Sequence, residues 1–388
     1  MLTITVKKSI QELEIYAEQW NLLALNSAQQ LPMLSHAWVS SYIEYCLGDD
    51  NPWLCLLALD HSKLVGVLPL IVRNEKVFGI NLQVLETPYD AHTNTGDILV
   101  VDDYCNVVLP AFINQIKNSY PNCVAIRFQR SVATSPVLKT PNHLPADVLI
   151  TSKLNSYGAY LNIDSDFDTF RRGLSKNFRS NLNKAKNKLN KLPEVKFSLL
   201  RGEDAHPGYL INMVEVEAAS WKGREGSAIQ NSVNLIKFYS VLVDRLYKAG
   251  ILEWHFLSTE NNDIAANLAI KMKDSVILWK LGYNEQYSRL SPGSLLLEYL
   301  AKDLCSSKAV KEINLTTDQP WYNNWEMLRR EYFDSLIIFK RLPPMLLLYF
   351  PVKAKDMLKR IPGFSKLKAV IKKLVRLKKN RKNITNRQ

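Results

Sequence analysis

One order of patterned segments occurs twice along the chain, and that repetition restricts the fold more than any single motif. In the first half, helical spacing over 10–25 and 36–47 precedes two apolar, strand-like runs, Trp53–Leu59 and Leu64–Val72, joined by the turn-prone Asp60-His61-Ser62-Lys63. Gly96–Val101, a helix over Val107–Ser119 and a strand over Val124–Gln129 follow, before Ser/Thr/Pro-rich sequence from Ser131 to Pro145. The second half gives a strand at Val195–Leu200, helices at Tyr209–Trp221 and Val233–Ala249, and strands at Leu252–Ser258, Ile264–Met272 and Val276–Gly282. A helix at Ser294–Cys305 and strands at Glu312–Leu315 and Ser335–Lys340 complete it. Helices, a β-meander, then a helix and a strand, twice over, predict two tandem α/β (α+β) units, each a mixed, mostly antiparallel sheet flanked by helices. The expected division is 1–150, 151–340 and a tail, 341–388, with the boundary inside 131–155.

Charge is concentrated at one end. The 388 residues carry a formal +13, yet Arg341–Gln388 alone holds 15 Lys/Arg against Asp356, so the rest is close to neutral. The body is not expected to coat a polyanion. Cys46, Cys55, Cys105, Cys123 and Cys305 are odd in number and scattered, which predicts neither a disulfide frame nor a zinc site and fits a reducing, cytoplasmic setting. The histidines show no HxxxH or HExxH spacing, and no GxSxG or Walker loop occurs, so no metal is expected and metallohydrolases and kinases are set aside. No apolar run reaches the roughly 20 residues of a spanning helix, and the N-terminus lacks the pattern of a signal peptide.

Two segments carry candidate chemistry. Ser165 and Asp168 read as a capping-box start to a helix over 166–192 bearing Arg171, Arg172, Lys176, Arg179, Lys184, Lys186, Lys188 and Lys191. That run is either a solvated face or an arm for an anionic substrate. Lys280–Ser294 reads as a strand end, a loop and a helix start. Ser291 is suited to the N-cap and Pro292 to the first helical position, while Gly293 and Ser294 leave the backbone N–H groups uncrowded. An anion could dock there beside Arg289, although ordinary helices start the same way.

Residues 215–228 (EVEAASWKGREGSA), Phe238-Tyr239, Ile264-Ala265-Ala266, Gly282-Tyr283-Asn284 and Ser291-Pro292-Gly293 together resemble the CelD/BcsL-type acetyltransferases associated with cellulose and exopolysaccharide synthesis. The resemblance covers about residues 160–325. Trp38, Leu68-Pro69-Leu70, Asp90 and Asp97 extend it less distinctively into the first half. It implies tandem GNAT-like (acyl-CoA N-acyltransferase) domains related to the FemAB-type transferases, with acetyl-CoA or another acyl-CoA as donor. Two positions depart from the pattern. The usual Gln/Arg-x-x-Gly-x-Gly/Ala loop has Pro292 and Ser294 after Arg289, and the expected Tyr-Lys of the next strand stands as Tyr322-Asn323.

The implied chemistry is direct transfer to an amine or hydroxyl of a sugar, polysaccharide or cell-envelope precursor, in which positioning supplies most of the catalysis. A backbone N–H near Leu281, Gly282 and Tyr283 would polarise the carbonyl, and Leu281, Gly282, Arg289, Ser291, Gly293 and Ser294 would hold the donor. Tyr283 or Tyr287 would protonate the thiolate, and Asp90 or His92 would act as base across the domain cleft. Trp221, Lys222 and Lys280 would meet the acceptor. Each residue also has a structural explanation: Gly223 as the C-cap of the helix ending at Trp221, Tyr283 as strand-end packing, Asp90 as a turn residue after Pro88, and His92 as a lone structural histidine. Aminoacyl-tRNA as donor, or a non-catalytic carbohydrate- or RNA-binding module, are the alternative readings.

The tail begins with a short apolar run, 343–352. Beyond Pro362-Gly363, Leu367, Val370, Ile371 and Leu374 fall on one helical stripe, with seven Lys/Arg from Lys366 to Lys379 on other faces. This predicts a basic amphipathic helix on the anionic inner face of a membrane, with nucleic acid or a solubilising tail as alternatives.

Overall fold

The apolar runs at 53–59 and 64–72 are stable only with both faces covered, and the structure covers them. It is a computed structural model and describes residues 1–341 apart from 78 and 261, together with Leu348. The tail helix lies outside the described residues.

The first part of the chain forms β1 (Leu2–Lys7), α1 (Ile10–Glu14), α2 (Ala17–Asn26), α3 (His36–Tyr45), β2 (Trp53–Asp60), β3 (Lys63–Val77), β4 (Ile80–Glu86), β5 (Leu99–Val100), α4 (Cys105–Ser119), β6 (Cys123–Val132), α5 (Pro136–Lys139) and β7 (Val148–Asn162). Next come α6 (Phe167–Gly173), α7 (Lys176–Leu189), β8 (Lys196–Arg201), α8 (Leu210–Ala218), α9 (Trp221–Arg224), α10 (Val233–Lys248), β9 (Leu252–Thr259), β10 (Asn262–Lys271), β11 (Ser275–Tyr283), α11 (Pro292–Ser307), β12 (Glu312–Asn314) and β13 (Leu328–Phe339).

These strands make one sheet in the order β1-β2-β3-β4-β6-β13-β7-β12-β11-β10-β9-β8, with β5 paired to β3. Its two ends match. Each half places four antiparallel strands beside one parallel neighbour, β4 with β6 and β11 with β12. The sixth strand of each half is exchanged: β13, last in the chain, pairs with β6, while β7 pairs with β12, and the two exchanged strands pair with each other along twelve residues of β13. The final strand expected at 335–340 is therefore longer, 328–339, and it closes the first half of the sheet rather than the second. β1, β4 and β7 had no strand signal in the sequence reading. β7 exposes most of its side chains from Ser152 to Asn155, so it lacks the apolar alternation that would announce it.

On one face, α2 and α3 of the first half pack against α8 and α10 of the second in a shared core that includes Trp20, Trp38, Tyr42, Phe238, Tyr239 and Leu242. On the other face, α4 covers the first half around Phe112 and α11 covers the second around Leu296 and Leu300. The shared core is what sets loops of one half against strands of the other.

Candidate active site

A sheet opens most readily where neighbouring strands run parallel and their connections leave from the same end. In the first half that place is closed. β4 pairs with β6 from Gln83 to Glu86, Thr87 N donates to Arg127 O at 3.0 Å, and Gly96 N donates to Gln129 O at 2.8 Å. Arg127 also bridges Glu75 and Glu86 at 2.6 and 2.9 Å. In the second half β11 pairs with β12 only at Ser275–Ile277, while β11 runs on to Tyr283. Beyond Asn314 the chain turns to β7, with Leu315 N donating to Ala159 O at 2.9 Å. Residues 278–283 thus present an edge that no strand occupies among the described residues. A bulge lies on this stretch: Lys280 faces Leu268 and Leu278 faces Ala269, so Trp279 is the extra residue, and a bulge leaves backbone groups outside the ladder.

α11 begins on one side of this slot. Ser291 occupies the N-cap position but is left-handed (φ 49°), and its side chain makes no cap hydrogen bond, contrary to the sequence expectation. Its carbonyl instead accepts from Ser294 N at 3.0 Å and Leu295 N at 3.1 Å, and Pro292 takes the first helical position as expected. The approach is open: a Cβ on Gly293 would meet only Tyr283 Cδ1, at 3.9 Å. Leu281, Tyr283, Tyr287 and Leu290 pack half-buried on this side, and Arg289 is exposed. The basic stretch 166–192 is two helices capped by Asp166 and Ser175, not one capped by Ser165 and Asp168, because each of those two caps has a side chain that accepts from a backbone N–H three residues on. Both helices pack on α11. Arg171 is tied to Glu298 at 2.8 Å, while Lys176, Lys184, Lys186, Lys188 and Lys191 stay exposed.

The other side holds a polar cluster contributed by both halves. The loop after β4 folds back so that Asp90 Oδ1 accepts from His92 N at 2.6 Å, and His92 Nδ1 lies 3.0 Å from the Tyr239 hydroxyl. Tyr239 is fully buried, and its oxygen also receives the Trp279 indole N–H at 3.2 Å. The phenol proton then needs an acceptor, and His92 Nδ1 is the one at hand, so the imidazole carries its own proton on Nε2. Burial, reinforced by Lys280, holds His92 down to about 4. A neutral ring whose Nδ1 is already occupied is a hydrogen-bond donor and not the base that the sequence suggested. Burial raises Asp90 from its ordinary value, which suits it better to that role.

Lys222 and Lys280 approach one carboxylate, that of Glu217, at 2.9 and 3.9 Å. Glu217 is fully buried. Burial works against its charge, but Lys222 and Lys280 outweigh that and hold it below the usual carboxylate range. Its second oxygen accepts from Ile229 N at 2.9 Å, and Lys222 also donates to Leu281 O at 3.4 Å. Trp221, 44% exposed, lies outside this group. The helix does not end at Gly223 as expected: α8 stops at Ala218, Ser220 caps the separate turn α9, and a Cβ on Gly223 would fall 1.9 Å from Ala218 O. Glycine is required there by a close backbone approach, not by a left-handed cap.

The loop carrying Asp90 and His92 is pinned across the two halves. Trp38 Nε1 donates to Thr93 Oγ1 at 3.0 Å, Asn94 Nδ2 donates to Thr316 Oγ1 at 3.0 Å, and Arg130 Nη1 donates to Asn94 O at 3.0 Å. Arg130, itself buried, also donates to Ser156 Oγ and Thr316 O and stacks on Tyr332 at 4.1 Å. The structure therefore unites Asp90, His92, Lys222 and Lys280 on one side of the slot and Tyr283, Tyr287, Arg289, Ser291, Gly293 and Ser294 on the other. Leu281 and Gly282 lie on the edge between. Sequence reading assigned no site role to Tyr239, Glu217, Trp279 or Arg130. The available signal for Glu217 was its place at helical spacing from Leu210 and Met213, on the face opposite the exposed Glu215; the others look like core or surface residues until the halves are joined.

Residues 176–323 match a family model described as an acetyltransferase (GNAT) domain. No curated protein matches the sequence significantly. Among solved structures, FemX is similar over 89% of this chain and 99% of its own, with a TM-score of 0.58 at 10% identity. A conserved protein from Bacteroides thetaiotaomicron is similar over 87% of this chain and 100% of its own, with a TM-score of 0.53 at 10% identity. The C-terminal domain of an assumed lysylphosphatidylglycerol synthetase from Agrobacterium fabrum covers 88% and 95%, with a TM-score of 0.52 at 7% identity. The matched segment, the mixed sheet and its flanking helices make this chain a transferase built on the GNAT fold.

Proposed function

We propose that the protein transfers an acyl group, acetyl foremost, from acyl-CoA to an amine or hydroxyl of a sugar, polysaccharide or cell-envelope precursor. The observation that carries this reading is the slot along 278–283, open in the second half alone, with a helix start on one side and the Asp90–Lys280 cluster on the other. In this reading the donor's diphosphate meets the N–H of Gly293 and the hydroxyl of Ser294 with Arg289 nearby, and its arm runs along the free edge at Leu281–Tyr283. The thioester then lies by the bulge, where a backbone N–H polarises its carbonyl. Asp90 removes the acceptor's proton, His92 donates from Nε2, and Tyr283, at the end of the slot edge, returns a proton to the thiolate, with Tyr287 as its neighbour on that side. Lys222 and Trp221 form the acceptor rim.

The motif order favours the CelD/BcsL type, and the C-terminal sequence favours a peripheral place on the inner face of a membrane. Among the described residues no helix is long and apolar enough to cross one. A second reading, aminoacyl-tRNA as donor, draws on the exposed lysines of α7, which packs on α11 beside the slot. Calorimetric titration of the full chain with acetyl-CoA and desulfo-CoA tests the proposal. Micromolar binding that is lost on Gly293→Trp supports the donor site; a folded chain that binds neither compound overturns it and leaves the tRNA reading.

A further inference from the structure

We propose that Lys280 is itself an acyl acceptor: when no acceptor is bound, its amine takes the acyl group from the thioester in the β11 slot. This rests on the acyl-CoA reading above. Lys280 follows the bulge at Trp279 on the free-edged stretch of β11, and its side chain is only 13% exposed. Its Nζ has no hydrogen-bond acceptor within bonding distance among the described residues. The nearest carboxylate oxygen, on Glu217, is 3.9 Å away, and the amine lies 5.2 Å over the Tyr239 ring. Lys222 is bound quite differently, at 2.9 Å from that same oxygen and 3.4 Å from Leu281 O. A nearly buried ammonium without hydrogen bonds gains little from its charge. Burial first, and Lys222 in addition, bring Lys280 down to about 8, while Glu217 and Asp90 act the other way. A neutral, nucleophilic amine is thus accessible near neutral pH.

The step balances without a further reagent. The Nζ lone pair attacks the thioester carbonyl carbon, the C–N bond forms, the C–S bond breaks, and the proton released from nitrogen goes to the departing thiolate. The products are a free thiol and an amide on Lys280. That amide is uncharged, leaves Glu217 to Lys222 alone, and occupies the space of the acceptor, so self-acylation closes the site when acceptor is scarce.

The test needs no acceptor. The full chain is incubated with acetyl-CoA and its peptides are mapped by mass spectrometry, with calorimetry run on the same preparation. Lys280 is expected to gain an acetyl group at least about tenfold faster than the exposed Lys63 and Lys308, since a lower amine pKa enlarges the reactive fraction. Excess desulfo-CoA is expected to suppress that preference, as is Gly293→Trp. A chain that binds acetyl-CoA yet leaves Lys280 unmodified overturns this proposal while the donor reading stands. Labelling unaffected by desulfo-CoA also overturns it, by showing reactivity that bypasses the slot. Absence of acetyl-CoA binding overturns the donor reading and this inference with it.

Discussion

The Tyr239 hydroxyl, on α10 of the second half, stands 3.0 Å from Nδ1 of His92, on a loop of the first, and this contact sets which imidazole nitrogen carries the proton. Tyr239→Phe removes the donor to Nδ1 and an acceptor for the Trp279 indole. The expected cost is about 1 kcal/mol of stability, measured by chemical denaturation. The sharper readout is the ¹⁵N spectrum of His92, which is expected to change from a pure Nε2–H form to a mixture; an unchanged spectrum contradicts the tautomer assignment.

Asp90→Asn keeps the shape of the loop and its acceptor for His92 N but removes the proposed base. Acyl transfer is expected to fall by roughly 10²–10⁴-fold, with thermal stability little altered. In the unmodified chain the rate should rise with pH as Asp90 ionises, at a higher pH than for a free aspartate, because the proposed base works ionised and burial raises it. A pH–rate profile of donor turnover checks both points.

A buried histidine, His36, and a half-buried one, His92, predict acid sensitivity. Burial is the first cause that holds His36 and His92 down to about 4 from an ordinary 6.5, Arg245 adding to it at His36 and Lys280 at His92. The unfolded chain binds these protons more readily than the folded one. Their contribution is therefore complete above about pH 6.5 and is lost as pH falls through 4. For His36, 2% exposed, it amounts to roughly 3 kcal/mol. His36→Phe, which preserves the edge contact with Trp20, should flatten the decline of melting temperature between pH 6.5 and 4.

Arg130→Met should unpin the loop. It leaves the carbonyls of Asn94 and Thr316 without their donor, at a cost of about 2 kcal/mol for one partly buried and one buried acceptor. Lys at this position keeps a charge but not the fork that reaches both carbonyls, so it should recover part of the stability at most. Denaturation of the three forms under one condition gives the comparison.

Gly223→Ala should disrupt α9, because the new methyl would sit 1.9 Å from Ala218 O. Displacement of that turn moves Lys222 away from Glu217. A loss of roughly 1–3 kcal/mol is expected, together with weaker protection of the Ile229 amide against hydrogen exchange.

What the sequence determined by itself was the repeated unit and its internal order. Continuous apolar runs marked β2, β9, β10 and β11 closely and the first part of β3, since these strands bury both faces, and 3.6-residue spacing marked α3, α4, α10 and α11, which bury one. The Ser-Pro-Gly start of α11 was likewise visible, because Pro at the first helical position is a local preference; the left-handed Ser291 was not, since the backbone angle depends on the preceding turn. Asp90, His92, Lys222 and Lys280 were each suspected from neighbours in sequence or from resemblance.

Their meeting was decided only by the tertiary structure. The exchange of β7 and β13, the packing of α3 on α10 and the Arg130 tie bring the 88–97 loop to Tyr239, residues about 150 positions apart with no periodicity to relate them. The roles changed with that meeting as well. His92 became a donor because a buried phenol needs an acceptor, Gly223 became a close-approach residue because Ala218 O lies against it, and the second half alone kept an open edge because β12 is three residues long. Local patterns record what each segment buries, while the path of a hydrogen-bond network depends on which distant segments the shared core brings into contact.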